Sequence, residues 1–384
     1  MPEQSSLNSD LRMAPCPARM FEQQATIFAR AFEILSQAIA ACAFPGASLA
    51  ITHNDRLIAL KAFGRFTYES DSPEVTTTTI FDLASVSKVV ATTSMAMILY
   101  ERGLLDLETP IAAIVPEFTE IGQAKDSRRD NVTIHMLLAH SSGLPAYEKL
   151  FLRTRTKEEL FNAAFAVPLV ANPGSKAEYS DIGFIVLGVV LERIADETIS
   201  QFCQREIFGP LGMSHTGFNP PSGWKLSIAP TANDQTFRHR TIQGEVNDEN
   251  ASVLGGVAGH AGIFSSAENM ARFANVLVQG GGPLVRPETL AVFTRRELAP
   301  EGTSRALGWD TLSQPSQSGK YFSPNSYGHL GYTGTSLWID PERKLSVTLL
   351  TNRTWPVSNN QAIKQVRPRF HDAVIESIDA MTKE

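Results

Sequence analysis

Cysteine is scarce: Cys16, Cys42 and Cys203 are the three in 384 residues. So few and so scattered, they exclude a disulfide framework and a thiolate metal site. Long apolar runs are missing as well. The longest clean one, near Phe184 to Leu191, falls far short of the roughly 20 residues that a spanning helix needs. There is no excess of positive charge: Lys+Arg is 34 against 40 Asp+Glu, a net charge of -6. A chain built to neutralise phosphates would be basic, so no nucleic-acid partner is expected. The first twenty residues lack a basic start followed by an apolar core, so no signal peptide is visible and the expected location is cytoplasmic. Several chemical signatures are absent too. Without a Gly-x-Ser-x-Gly elbow the α/β-hydrolase route to a reactive serine is closed. Without HExxH, CxxC or clustered histidines, no metal is expected. No Walker loop occurs. The run Gly255 to Gly262 is not GxGxxG and follows no clear strand, so it reads as a tight loop approaching a cleft. No cofactor is expected.

What is present suits a folded protein. Hydrophobic residues make up 43% and charged residues 19%, enough for a substantial core in one large domain or two lobes around one site. Residues 1–19 read as a loose polar tail. Phe28, Phe32, Leu35 and Ile39 then recur at spacings of four, three and four, one face of a helix. Ala47 to Thr52 and Arg56 to Phe63 flank His53-Asn54-Asp55, a hairpin pattern. Ser85 to Leu104 reads as one long apolar helix. Helical stretches follow near 133–139, 157–165, 181–195, 199–208 and 265–278. Strands return at Tyr327 to Tyr332, Thr335 to Ile339 and Leu345 to Thr351, before a helix from about Gln361 to Met381. The pattern predicts an α+β fold: one antiparallel sheet built from both chain ends and flanked by helices, plus a large inserted helical lobe. The expected division is 20–82 with 300–384 as the sheet lobe and 83–299 as the helical lobe. The ligand site is expected in the cleft between them.

Three short patterns carry chemistry. Ser85-Val86-Ser87-Lys88 is an S-x-x-K. Positions i and i+3 share a helix face, so the Lys88 amine can reach the Ser85 oxygen and take its proton. Desolvation and the helix N-terminus both favour a neutral amine there. On local sequence alone, Ser85 as an N-cap and Lys88 as a solvated charge is the favoured reading. Ser222-Gly223-Trp224-Lys225 repeats the pattern in a Pro/Gly loop, where no shared face exists. Tyr179-Ser180-Asp181 follows a Pro-Gly turn and opens a helix; its tyrosine can relay a proton, or simply pack beside a capping residue. His329-Leu330-Gly331 lies on an expected strand, where a donor can hold an oxyanion or carboxylate and glycine lets substrate backbone approach.

Taken in order, these segments resemble the serine β-lactamase and penicillin-binding superfamily, in its class C-like branch. That branch includes class C β-lactamases, D-alanyl-D-alanine carboxypeptidases, D-aminopeptidases and family VIII esterases. Phe81 to Lys88 looks like its nucleophile segment. Leu137 to Pro145, Tyr179 to Asp181, Gly262 to Glu268 and Gly328 to Gly334 are similar to further segments, and the likeness runs from about residue 44 to 355. The resemblance implies a β-lactamase/transpeptidase-like fold and two-step acyl transfer. It makes Ser85 the acylated nucleophile, Lys88 its proton partner, and Tyr179 the co-base and relay to the leaving group. His329 takes the third-motif position, and the backbone N–H groups of Ser85 and Tyr332 form the oxyanion hole. Asp181 and Gly331 face the substrate.

Three departures bear on the substrate. Asp181 stands where β-lactamases usually carry Asn; a free carboxylate there repels an anionic substrate, unless Lys88 neutralises it. His329 replaces a lysine and so removes a permanent cation. Leu330 removes a hydroxyl. Together they point to a hydrolase of small carboxylic esters with weak or no β-lactam turnover. The alternatives are an amidase or D-amino-acid peptidase, a β-lactamase, or a non-catalytic penicillin-recognising scaffold. The expected partner is a small-molecule ester, amide or β-lactam. His140, His260 and Glu249 are expected to be structural.

Overall fold

The computed structural model describes residues 17–120 and 126–381. Twelve strands appear among them: β1 Ala18–Arg19, β2 Gly46–His53, β3 Arg56–Gly64, β4 Ile80–Asp82, β5 Gly217–Phe218, β6 Ala232–Asp234, β7 Arg240–Ile242, β8 Ile263–Ser266, β9 Asp310–Thr311, β10 Tyr327–Leu330, β11 Ser336–Asp340 and β12 Leu345–Thr351. Seven form the main sheet in the order β1-β3-β2-β12-β11-β10-β9. Its pairs are antiparallel except β1–β3. The sheet therefore closes across the chain: Leu49 lies opposite Leu349. The β2–β3 hairpin turns at Asn54 and Asp55, both at positive φ, as a tight hairpin turn requires. The tail reading over 1–19 needs a correction at its end, since Ala18 and Arg19 add an edge strand to β3. Its first sixteen residues, Cys16 included, lie outside the described ones.

Alternation along β2 and β12 sends side chains to two cores. Ala47, Leu49 and Ile51 with Leu345, Val347 and Leu349 face one layer, packing with Phe28, Phe32 and Leu35 of the N-terminal helix and Phe370 and Val374 of the C-terminal one. The helices Ala29–Ala40 and Ile363–Met381 also pack on each other. The opposite face is small or polar: Ser48, Ala50 and Thr52 on β2, Ser346 and Thr348 on β12, with Thr52 and Ser346 sharing a 2.6 Å hydroxyl contact. Small residues let the helix Ala267–Val278 lie close against β2, β11 and β12. The helical block expected over 83–299 thus does not stay apart from the sheet.

The helices Ser94–Glu101, Ile134–Leu138, Lys157–Phe165 and Ile199–Cys203 pack on the buried helix Asp181–Ala195. Ser180 caps it, its Oγ accepting the Gly183 N–H at 2.9 Å. A second sheet, β4-β8-β5, joins this block to the nucleophile segment. The expected single helix from Ser85 is instead three pieces: a 3₁₀ turn Ala84–Val86, a wide π turn Lys88–Thr93 and an α-helix Ser94–Glu101. Hydroxyls explain the widening. Ser94 Oγ donates to the carbonyl of Val89, five residues back, and Thr92 Oγ1 donates to the Gly259 carbonyl. Among the described residues no helix is long and apolar enough to cross a membrane.

Candidate active site

Strand β4 delivers the chain to Leu83, and the 3₁₀ turn then presents Ser85. Lys88, one turn later, is fully buried. Its Nζ donates to Ser85 Oγ at 3.2 Å, to Asp181 Oδ1 at 2.6 Å and to the carbonyl of His260 at 3.0 Å. All three ammonium protons thus have acceptors. Burial pushes the Lys88 amine down, and the Asp181 carboxylate pulls it part of the way back.

Tyr179 arrives from the loop before the helix Asp181–Ala195. Its hydroxyl donates to Ser85 Oγ at 2.7 Å and lies 3.2 Å from Asp181 Oδ1. Burial, then the neighbouring Asp181 charge, holds the phenol well above its ordinary pKa, so it stays a neutral donor. His140 fixes this loop. Its carbonyl accepts the Glu178 N–H, its Nδ1 accepts the Ser180 N–H, and its ring sits between Tyr179 and Phe184.

The carbonyl that receives Lys88 comes from the glycine-rich loop. Gly259 packs backbone against backbone on the helix Asp181–Ala195: a Cβ there would lie 2.1 Å from the Phe184 carbonyl oxygen. The His260 imidazole turns away, its Nε2 2.8 Å from Asp248 Oδ1. Burial works to raise the Asp248 carboxyl, yet His260, the Ala251 N–H and Lys88 together hold it below the ordinary carboxylate value.

Strand β10 carries His329 beneath Tyr179, ring centroids 5.9 Å apart. Where a donor was expected, burial, with Lys88 and Arg305 nearby, keeps the imidazole neutral. Its Nδ1 lies 2.8 Å from the Leu330 carbonyl and so holds the proton, leaving Nε2 as a buried acceptor. The turn after β10 is stitched to the nucleophile segment. Thr333 Oγ1 donates to the Asp82 carbonyl and Thr335 Oγ1 to that of Leu83, each at 2.8 Å. Gly331 permits the approach, because a Cβ would lie 1.9 Å from Thr335 Oγ1 and 2.5 Å from Leu83 O. Tyr332 stands in the same turn, half exposed, its carbonyl accepting from Arg353 Nε.

Ser85, Lys88, Tyr179 and Asp181 therefore meet directly, with His329 beside Tyr179. Asp181 spends its charge on Lys88 and Tyr179. Sequence reasoning missed Arg305, whose guanidinium lies 5.4 Å from the centre of the Tyr179 ring and 3.6 Å from Asp310. It sits in an irregular segment without periodicity or motif, so no local signal marked it. Its charge is one of the influences that lower the His329 imidazole. Asp82 was inside the quoted nucleophile segment, but nothing in its spacing indicated its contacts. The decoy Ser222 to Lys225, expected as a loop without a shared face, is instead part of a 3₁₀ turn, in which positions i and i+3 do align.

A family model described as Beta-lactamase matches residues 31–367. A protein of Salmonella paratyphi B named "Putative D-alanyl-D-alanine carboxypeptidase" is 32% identical over 352 residues, covering 82% of this chain and 81% of the relative. Among solved structures, EstCE1, described as a hydrolase with promiscuous acyltransferase activity, superposes with a TM-score of 0.75 at 23% identity, covering 91% of this chain and 99% of that one. A penicillin-binding protein homologue from Caulobacter crescentus gives a TM-score of 0.71 at 19% identity, covering 92% and 98%. At these identities the structural likeness concerns the fold.

Proposed function

Because the chain belongs to the Beta-lactamase family of serine hydrolases, we propose that it hydrolyses a carboxylic acyl compound through an acyl-enzyme on Ser85. The observation that carries this reading is the convergence of two proton-bearing groups, the Tyr179 hydroxyl and the Lys88 amine, on one serine oxygen. In the proposed reaction Ser85 Oγ attacks the acyl carbon. Its proton passes to Lys88 when that amine is neutral. The backbone N–H groups of Ser85 and Tyr332 hold the oxyanion. Tyr179 gives its proton to the departing alcohol or amine and is resupplied from Lys88. Water then repeats the sequence in reverse roles and frees the acid.

The substrate class is weighed by charge. A preference for small neutral esters rested on Asp181, His329 and Leu330. Asp181 Oδ1 is held by Lys88 Nζ at 2.6 Å within the site, and Arg305, 3.6 Å from Asp310, brings a guanidinium to 5.4 Å from the centre of the Tyr179 ring. These two observations favour a second reading, a carboxypeptidase-like amidase acting on anionic peptides, in keeping with the Salmonella relative's name.

A fluorophosphonate probe followed by peptide mass analysis tests the reaction. It should modify Ser85 in the wild type and leave Ser85→Ala untouched; an unmodified wild type would favour the scaffold alternative. Ser85→Ala should also stay folded while retaining less than about a tenth of the turnover, a loss that removal of a nucleophile comfortably exceeds. Parallel turnover of p-nitrophenyl esters, nitrocefin and D-alanyl amides separates the substrate readings.

A further inference from the structure

Ala84, immediately before Ser85, has φ +48, a left-handed conformation that side chains other than glycine rarely adopt. The residue that faces this turn is Asp82. Its Oδ1 accepts the Ala84 N–H at 2.8 Å and its Oδ2 accepts the Asn247 N–H at 2.6 Å. Asn247 adjoins Asp248, whose partner His260 offers its carbonyl to Lys88. The main-chain carbonyl of Asp82 takes the Thr333 hydroxyl from the turn that carries Tyr332. One buried residue thus touches the nucleophile turn, the loop behind the lysine and the opposite wall of the cleft.

We propose that Asp82 is a positioning residue for acyl transfer, its carboxylate holding Ala84 in the left-handed turn that aims the Ser85 hydroxyl and N–H. This rests on the reading of Ser85 as nucleophile. A carboxylate buried without a direct salt bridge is unfavourable, and burial pushes this one up to about 6; Asp248 adds to the rise, while the backbone N–H groups and Arg238 oppose it. Two N–H groups approaching from separate segments require two acceptor oxygens. Asparagine offers one oxygen and turns an NH₂ toward the other donor.

The test is steady-state kinetics on p-nitrophenyl acetate, well below the melting temperature, for Asp82→Ala, Ala84→Gly and the double variant. Asp82→Ala should lose about 10- to 100-fold in kcat with KM within about threefold, the loss expected of a slightly misaimed reacting group. Ala84→Gly alone should stay within about threefold of wild type, since glycine takes the same φ freely. Combined with Asp82→Ala, it should recover at least about tenfold of the lost kcat, because the turn then forms without its brace. Absence of that rescue, or a kcat for Asp82→Ala within threefold of wild type, overturns the proposal. Should Asp82→Ala not fold, Asp82→Asn replaces it, with the same rescue required. Fluorophosphonate labelling of the wild type keeps the two questions apart: no label on Ser85 defeats the acyl-serine reading, whereas normal labelling without rescue defeats only the role of Asp82.

Discussion

Lys88 is held between two opposing influences, burial that strips its proton and a carboxylate that keeps it. Replacing Asp181 with Asn removes the second and leaves the first. The amine pKa then falls further, so the neutral base exists at lower pH. For Asp181→Asn the acid limb of the kcat/KM profile should move to lower pH, raising activity at pH 6 relative to pH 8. An unmoved limb would take the base role away from Lys88. The Arg305 guanidinium lies 5.4 Å from the centre of the same Tyr179 ring. If anionic substrates are preferred, Arg305→Met should lower kcat/KM for a carboxylate-bearing ester about tenfold or more relative to its neutral analogue. Equal losses on both esters would mean that Arg305 supports Tyr179 alone.

Glycine, hydroxyl and capping chemistry decide how the elements meet. Gly259 has no room for a side chain against the Phe184 carbonyl. Gly259→Ala should therefore cost about 1–3 kcal/mol, read as a lower melting temperature, and should displace the His260 carbonyl from Lys88. Most elements were legible in the sequence because they are strongly periodic or capped. The hairpin at Asn54-Asp55 and the helix beginning after Ser180 fall where pattern and cap agree. The site was legible as three ordered motifs. Three features escaped, each for a physical reason. The wide turn at Lys88–Thr93 depends on hydroxyl contacts with Gly259 and within its own backbone, which hydrophobic spacing does not encode. The brace at Asp82 and the cation at Arg305 depend on segments far apart in the chain, which only the folded topology brings together.

Across the molecule, stability should follow the buried imidazoles. His371 is pushed down to about 3 by burial, and His140 and His329 are also held well below the ordinary value. Each stays neutral when folded but takes up a proton when unfolded below about pH 6.5. Their contribution is present above that pH and is lost as pH falls, by up to about 1.4 kcal/mol per unit for each histidine. Asp82 works in the opposite sense, losing stabilisation as pH rises toward about 6. His53 acts with these imidazoles, whereas His135, Glu249 and Asp310 act with Asp82. The deep shifts of the three buried imidazoles outweigh them, so the melting temperature should drop between pH 7 and pH 5, and His371→Gln should flatten that drop. Calorimetry across the range checks both, and a flat wild-type profile would mean the imidazoles are not neutral. The strand pairing has a temporal consequence. Leu49 meets Leu349 in the centre of the main sheet, so a nascent chain emerging from the ribosome carries an unmatched hairpin until nearly all of it has been synthesised. Such a long wait with an open strand edge favours slow maturation and recruitment of a chaperone.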